Sequence, residues 1–119
     1  MDQEGLLFPK AKSKKKKRIK HPKSIVQTKD RTCYLCMMDG NYKKHIFLDC
    51  HHIFGGPNRT RSEETGLKVW LCPEHHTLGP LAVHNCPETM DLLHKIGQRK
   101  YEETHTRQQF IDLFGKSYL

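Results

Sequence analysis

The sequence contains no long apolar segment, and this absence narrows the classes of protein to consider. A membrane-spanning helix needs about 18 or more apolar residues in a row, and no such run occurs. The first ten residues also show no apolar stretch followed by a small-residue cleavage site, so we expect no signal peptide. Without secretion, five cysteines favour metal binding over disulfides. We therefore expect a protein of the reducing cytoplasm with no membrane partner.

Acidic residues are missing from residues 10–29, which hold ten lysines and arginines. Residues 30–119 hold eleven basic and eleven acidic residues, so the net charge of +8 is concentrated near the N-terminus. We expect residues 1–29 to form a disordered basic arm that binds DNA through counterion release. A solubilising tail and a nuclear-import signal are the alternatives. The arm residues expected to contact DNA are Lys14, Lys15, Lys16, Lys17 and Arg18.

The remaining residues 30–119 form one small domain, expected to be monomeric, in which a metal would add needed stability. Two pairs of potential ligands have the spacing of zinc knuckles, Cys33-x2-Cys36 and Cys72-x2-His75. Together they predict a closed tetrahedral shell of three thiolates and one imidazole, which is typical of structural Zn²⁺. His76 is an alternative fourth ligand, and reduced thiols in a core are the alternative to a metal site.

The hydrophobic pattern indicates a mixed α+β fold. Apolar runs predict one strand over residues 45–54 and a second over residues 67–71. Pro73 and Pro87 suit the first turns of two helices, the second of which carries an apolar stripe at helical spacing. A capping box at Thr106 predicts a last helix that ends at Gly115.

Four of the nine histidines occur in two adjacent pairs, His51-His52 and His75-His76. Adjacent side chains on a strand point to opposite faces. One histidine of a pair can therefore hold a metal while the other serves a different purpose.

The order of these motifs resembles the HNH endonuclease family, which has a ββα-metal (His-Me finger) fold. The resemblance rests on the first knuckle, on the HHIFGGPNR run of residues 51–59, on the LCPEHH run of residues 71–76 and on the VHN run of residues 83–85. It is closest to small phage HNH proteins and covers about residues 31–119. It implies a nuclease core over residues 31–86 and a helical extension over residues 87–119.

The resemblance also implies roles for individual histidines. His51, His76 and His84 would hold a catalytic divalent ion such as Mg²⁺, Mn²⁺, Ni²⁺ or Zn²⁺, and His52 would be the general base that activates water. Asp49 lies two residues before His51, so on a strand it would share that face and could hydrogen-bond a metal ligand, with a plain surface carboxylate as the alternative.

One position departs from the family pattern. Leu67 occupies the place of the asparagine that usually orients the base, and Asn58 is the nearest substitute. Either Asn58 folds back to hold the His52 backbone, or another group orients the base. Arg59 and Arg61 flank this loop and are expected to contact phosphate, with a solvated loop as the alternative.

Together these features predict a metal-dependent HNH endonuclease that hydrolyses DNA, with a structural zinc and a basic arm. The resemblance further implies a phage or prophage origin and, by analogy, a role in genome packaging with terminase. A zinc-stabilised nucleic-acid-binding module without catalysis is the main alternative. A nuclear zinc-finger adaptor, based on the lysine run alone, is the third.

Overall fold

A two-stranded antiparallel sheet and a set of short helices make up the fold, which confirms the α+β class. The computed structural model describes residue 18 and residues 20–119. Within this part of the chain, no helix has the length and apolar content required to cross a bilayer. The regular elements, in order, are α1 (Tyr34–Met38), β1 (Asp49–His52), α2 (Arg59–Glu64), β2 (Lys68–Leu71), α3 (Pro87–Tyr101) and α4 (Arg107–Phe114).

The register of the sheet places the two histidines of β1 on opposite faces. His51 pairs with Val69, and both are buried against the core. His52 pairs with Lys68 on the other face, and Cys50 pairs with Trp70 on that same face. The face that carries His52 is therefore polar and aromatic, whereas the face that carries His51 belongs to the interior.

The first strand is shorter than the sequence predicts. It begins at Asp49, and the expected residues 45–48 form a loop instead. Ile46 and Phe47 are 81% and 76% exposed, so this apolar run does not pack as a strand would. A single bridge between Thr32 and Lys44 fixes the start of the loop.

The helices of the C-terminal third follow their sequence signals. Pro87 occupies the first position of α3 after Cys86 as the N-cap residue. Thr106 forms the expected capping box with Gln109, and Gly115 ends α4 in the left-handed conformation at φ 94°.

Gly97 allows α3 to approach the end of β1 closely. A Cβ atom at this position would lie 2.9 Å from the Cγ2 atom of Ile53 and 3.2 Å from the Cε2 atom of Phe54. Ile53 and Phe54 directly follow the histidine pair, and both are fully buried. The packing of α3 therefore fixes the strand end that presents His51 and His52.

Ser62 connects α2 to both strands. Its hydroxyl accepts a hydrogen bond from the Phe54 amide at 3.1 Å and donates one to the Leu67 carbonyl. Because Ser62 is completely buried, these bonds hold α2 in a fixed position beside the sheet. Glu63, the next residue, is thereby placed near His52.

Part of the segment assigned to the arm packs against the domain. The Ile25 amide donates to the Gly66 carbonyl at 2.9 Å, and the Ser24 hydroxyl donates to the Lys68 carbonyl. Gln27 is buried, and its side-chain oxygen accepts from the Trp70 amide at 2.8 Å. Contacts with the domain therefore begin before the expected boundary at residue 29, because this segment supplies partners to the free edge of β2.

The prediction that the basic arm contacts DNA concerns mostly residues that the structure does not describe. Lys14, Lys15, Lys16 and Lys17 lie outside the described residues, whereas Arg18 is described and exposed. The expected DNA contacts of these residues stay a prediction.

Candidate metal centres

The four predicted zinc ligands converge in one buried cluster. Cys33 caps α1 and Cys36 lies within it, while Cys72 follows β2 and His75 lies in a π-helical turn, Glu74–Leu78. The Nδ1 atom of His75 lies 3.5, 3.3 and 3.4 Å from the sulfur atoms of Cys33, Cys36 and Cys72. The sulfur atoms of Cys36 and Cys72 are 3.9 Å apart.

These distances fit tetrahedral zinc coordination. Zinc bonds of about 2.3 Å to sulfur and about 2.05 Å to nitrogen would separate two sulfurs by roughly 3.8 Å and a sulfur from a nitrogen by roughly 3.6 Å. Burial, with Cys33 and Cys72 alongside, raises the pKa of the Cys36 thiol to about 12. Three crowded thiolates need a compensating cation, so the cluster can hold a metal ion such as zinc.

The turn after β2 places its two histidines in different clusters. The Cys72 carbonyl accepts hydrogen bonds from the His75 amide at 3.0 Å and from the His76 amide at 2.9 Å. His75 turns towards the thiols, and His76 turns towards His51. The structure thus favours His75 over the alternative ligand His76.

His51, His76 and His84 form a second cluster, with one ligand nitrogen of each within 4.8 Å of the others. His51 is 4% exposed, and its Nε2 atom has no hydrogen-bond partner among the described residues. The Nε2 atoms of His76 and His84 face each other at 3.1 Å. A buried nitrogen without a partner and two opposed imidazole nitrogens are what a cation would satisfy, so this cluster also can hold a metal ion.

The lowered pKa values of His51 and His84 suit metal binding. Burial, with the neighbouring His76 and His84, lowers the pKa of His51 to about 3. Burial and the nearby His76 also lower the pKa of His84. Neutral imidazoles have the free lone pair that a metal ligand requires.

Asp49 orients one of the three rings. Its carboxylate accepts a hydrogen bond from the Nδ1 atom of His76 at 3.0 Å. The proton is then on Nδ1, and the lone pair on Nε2 points to the cluster. Asp49 thus hydrogen-bonds a ring of this cluster, and that ring belongs to the π-helical turn rather than to β1.

His52 contacts a carboxylate that sequence reasoning missed. Its Nε2 atom lies 2.7 Å from Oε1 of Glu63, whose Oε2 lies 2.7 Å from Lys68 Nζ and 3.0 Å from His21 Nδ1. The hydrogen bond from Lys68, with those from His52 and His21, lowers the pKa of Glu63 to about 2. One signal for Glu63 was present in the sequence. The usual asparagine is absent, and Glu63 and Glu64 are the only acidic residues between the two strands.

Asn58 lies elsewhere. Its side-chain amide donates to the Phe114 carbonyl at 3.2 Å, and its oxygen lies 3.5 Å from Arg61 Nη1. Among the described residues, no hydrogen bond joins Asn58 to His52. Of the two alternatives for the orienting group, the contacts therefore favour a different residue, Glu63.

One cavity joins the histidine cluster to His52. It has a volume of about 360 Å³, and its walls include His51, His52, His76, His84 and Arg59. None of the residues that line it is acidic. A cation held by the three histidines would, with Arg59, give this cavity positive charge, which favours an anionic group.

No family model, curated protein or solved structure matches the chain. The fold and the two clusters define a small α+β protein with a buried cluster that can bind zinc. The features that bear on function are therefore the residues that line the shared cavity.

Proposed function

We propose that the protein is a metal-dependent endonuclease of the HNH type that hydrolyses DNA phosphodiester bonds. The observation that carries this proposal is the shared cavity, in which three histidines able to hold a cation lie beside His52, itself held by a carboxylate. The order β1, β2 and π-helical turn also supports a ββα-metal core. A phage origin and a packaging role with terminase belong to the same proposal, by resemblance.

His51, His76 and His84 would hold the catalytic divalent ion. Such an ion, when bound, polarises the scissile phosphate and stabilises charge on the leaving oxygen. Arg59 is exposed at the start of α2 and lines the same cavity, so it can contact a phosphate oxygen.

His52 would accept the proton of the attacking water. Glu63 is ionised and accepts hydrogen bonds only, so the shared proton lies on Nε2 of His52. In the neutral ring, the Nδ1 atom has the free lone pair that would act as the base. Glu63 would position the ring, in place of the absent asparagine.

The test is cleavage of a labelled DNA duplex by zinc-loaded protein, with Mg²⁺, Mn²⁺, Ni²⁺ or Zn²⁺ supplied in turn. We expect cleavage with at least one ion. Glu63→Gln should lower the single-turnover rate at least roughly tenfold with DNA affinity unchanged, because it leaves the ring of His52 poorly oriented. Absence of cleavage with every ion would contradict the proposal.

A zinc-stabilised nucleic-acid-binding module without catalysis is the second candidate. Glu63 binds Lys68 and His21 as well as His52, and this network also serves as a structural ion pair. A binding module predicts salt-sensitive DNA binding, no cleavage, and no special loss when Glu63 is replaced.

A further inference from the structure

A second cavity lies on the sheet face that carries His52. Its volume is about 440 Å³, within the range of about 300–1,000 Å³ that small-molecule sites occupy. Trp70 of β2 and Lys68, the strand partner of His52, form one wall. The segment that precedes α1 forms the opposite wall, through residues 21–24 and 27–29.

The ionisable side chains that line this cavity are all basic. Four of the residues that line it can be positively charged, and none is acidic; they are His21, Lys23, Lys29 and Lys68. Lys68 and His21 contact the carboxylate of Glu63, whereas Lys29 is exposed, with its Nζ atom over the Trp70 ring at 5.6 Å from the ring centroid. Among the residues that the structure describes, no carboxylate pairs with Lys23 or Lys29, so the cavity presents an aromatic ring beside these two lysines.

Hydrogen bonds hold the two walls together. The Trp70 amide donates to the side-chain oxygen of Gln27 at 2.8 Å, and the side-chain nitrogen of Gln27 donates to the Thr32 carbonyl at 2.9 Å. Ser24 donates to the Lys68 carbonyl. Because these bonds are made within the chain, a ligand does not need to order the site.

We propose that this cavity binds an unpaired nucleotide of a DNA strand. Proteins bind single-stranded nucleic acid by stacking bases on aromatic side chains while lysines and arginines contact the backbone. An inorganic anion alone would not use the ring of Trp70, and an apolar ligand would not use the lysines. A paired base offers no free face, so an unpaired base fits the combination.

The inference deepens the proposed function, and it rests on that function for the choice of nucleic acid as ligand. The cavity shares Lys68 with the Glu63–His52 contact, so a nucleotide stacked on Trp70 would lie on the sheet face of His52. The substrate would then carry an unpaired base near the cleaved bond, as at a flap, a gap or a strand end.

Trp70 is the only tryptophan of the chain, so its fluorescence reports on this cavity directly. The experiment titrates zinc-loaded protein with oligothymidylate of about six nucleotides, without added divalent ion. A duplex with the same number of phosphates is the matched ligand. We expect saturable quenching by the single strand, and affinity for the duplex weaker by at least about fivefold.

Variants separate stacking from charge. Trp70→Leu should weaken binding of a fluorescein-labelled oligothymidylate about tenfold, as measured by anisotropy, and Trp70→Phe should keep most of the affinity. Lys29→Ala should weaken binding and reduce its salt dependence by about one counterion. Lys95→Ala, an equal charge change on α3, is the control and should bind as the wild type does. Circular dichroism and zinc content verify that each variant is folded.

Three results would overturn the inference: no fluorescence change, equal affinity for the duplex, or Trp70→Leu binding as tightly as Trp70→Phe. These outcomes are independent of cleavage. A protein that cuts DNA with an unresponsive Trp70 keeps the proposed function and loses this inference. If single-stranded DNA quenches Trp70 fluorescence but no metal ion supports cleavage, the nucleotide site is retained and the proposed nuclease function is rejected.

Discussion

Neighbouring histidines in this protein belong to different sites. On β1, His51 turns inward to the cluster with His76 and His84, and His52 turns to Glu63. After β2, His75 turns to the three thiols and His76 to the second cluster. The period of a strand explains the first pair, and the geometry of the π-helical turn explains the second.

Asp49→Asn should weaken metal binding by the histidine cluster. The carboxylate holds the proton of His76 on Nδ1 at 3.0 Å, and loss of such a partner typically costs about 10- to 100-fold in metal affinity. Calorimetric titration with Mn²⁺ measures this. Asp112→Asn, on the exposed side of α4, is the control with the same charge change. Equal affinity of the two variants would show that Asp49 does not orient the ligand.

The stability contributed by Glu63 should depend on pH. Its folded pKa of about 2 is below the ordinary 4.5, chiefly because of Lys68. Protonation therefore favours the unfolded state, so the contribution is present above about pH 4.5 and is lost as pH falls towards 2. Urea unfolding of the wild type and Glu63→Gln at several pH values checks this. The gap between their free energies of unfolding should shrink below pH 4.5, and a constant gap would contradict the assignment.

The sequence predicted the ligands better than the residues that support them. Spacing alone grouped Cys33 with Cys36 and Cys72 with His75, because a knuckle is a local feature. Glu63 was missed because its contact with His52 depends on where the buried hydroxyl of Ser62 fixes α2. That position is set by tertiary packing, which no local pattern records.

Among the elements, helix ends were predicted well and the first strand was not. Pro87, Thr106 and Gly115 act through backbone geometry and hydrogen bonds within a few residues, so their effect can be read from the sequence. The apolar pair Ile46 and Phe47 indicated a strand, yet both side chains are exposed in a loop. Apolar character alone does not show which side chains are buried in the core.

Gly97→Ala should destabilise the domain although alanine is the better helix former. The new Cβ atom would lie 2.9 Å from Ile53 Cγ2, which is buried and has little room to move. Overpacking costs about 1–3 kcal/mol and the better helix propensity of alanine offsets about 1 kcal/mol of it, so we expect a net loss of up to about 2 kcal/mol. Thermal unfolding measures it.

The control for this prediction is Gly55→Ala, where an added Cβ atom meets nothing within 4 Å. Its melting temperature should remain near that of the wild type. A Gly97→Ala protein as stable as this control would show that α3 and the strand end can separate without cost.

At the scale of the whole molecule, the buried Cys/His cluster, which can hold a metal such as zinc, joins α1 to the end of β2. A domain of about ninety residues buries only a modest core, so a metal bound by this cluster would contribute directly to folding. The positive charge lies mainly in residues 10–29, and the domain is close to neutral. The excess positive charge and the buried Cys/His cluster are thus located in different parts of the chain.

Removal of zinc should unfold the domain. Cys72→Ser deletes one of the four ligands, whereas Cys86→Ser changes a cysteine outside both clusters and is the matched control. We expect purified wild type and Cys86→Ser to contain one tightly bound zinc and to lose helical circular dichroism with a strong chelator. Cys72→Ser should contain little zinc and show the unfolded spectrum from the start. A folded Cys72→Ser protein would contradict the structural role.

The most direct test of the central claim is plasmid cleavage by wild type, His52→Ala and His105→Ala with each divalent ion in turn. His105 is exposed and stacks on Tyr101, remote in sequence from both clusters, so it controls for loss of a histidine. We predict that wild type and His105→Ala cut the plasmid, and that His52→Ala binds it with equal affinity but cuts at least about a hundredfold more slowly. Equal cutting by all three proteins, or salt-sensitive binding without cutting by any, would contradict the claim that His52 is the base of a nuclease.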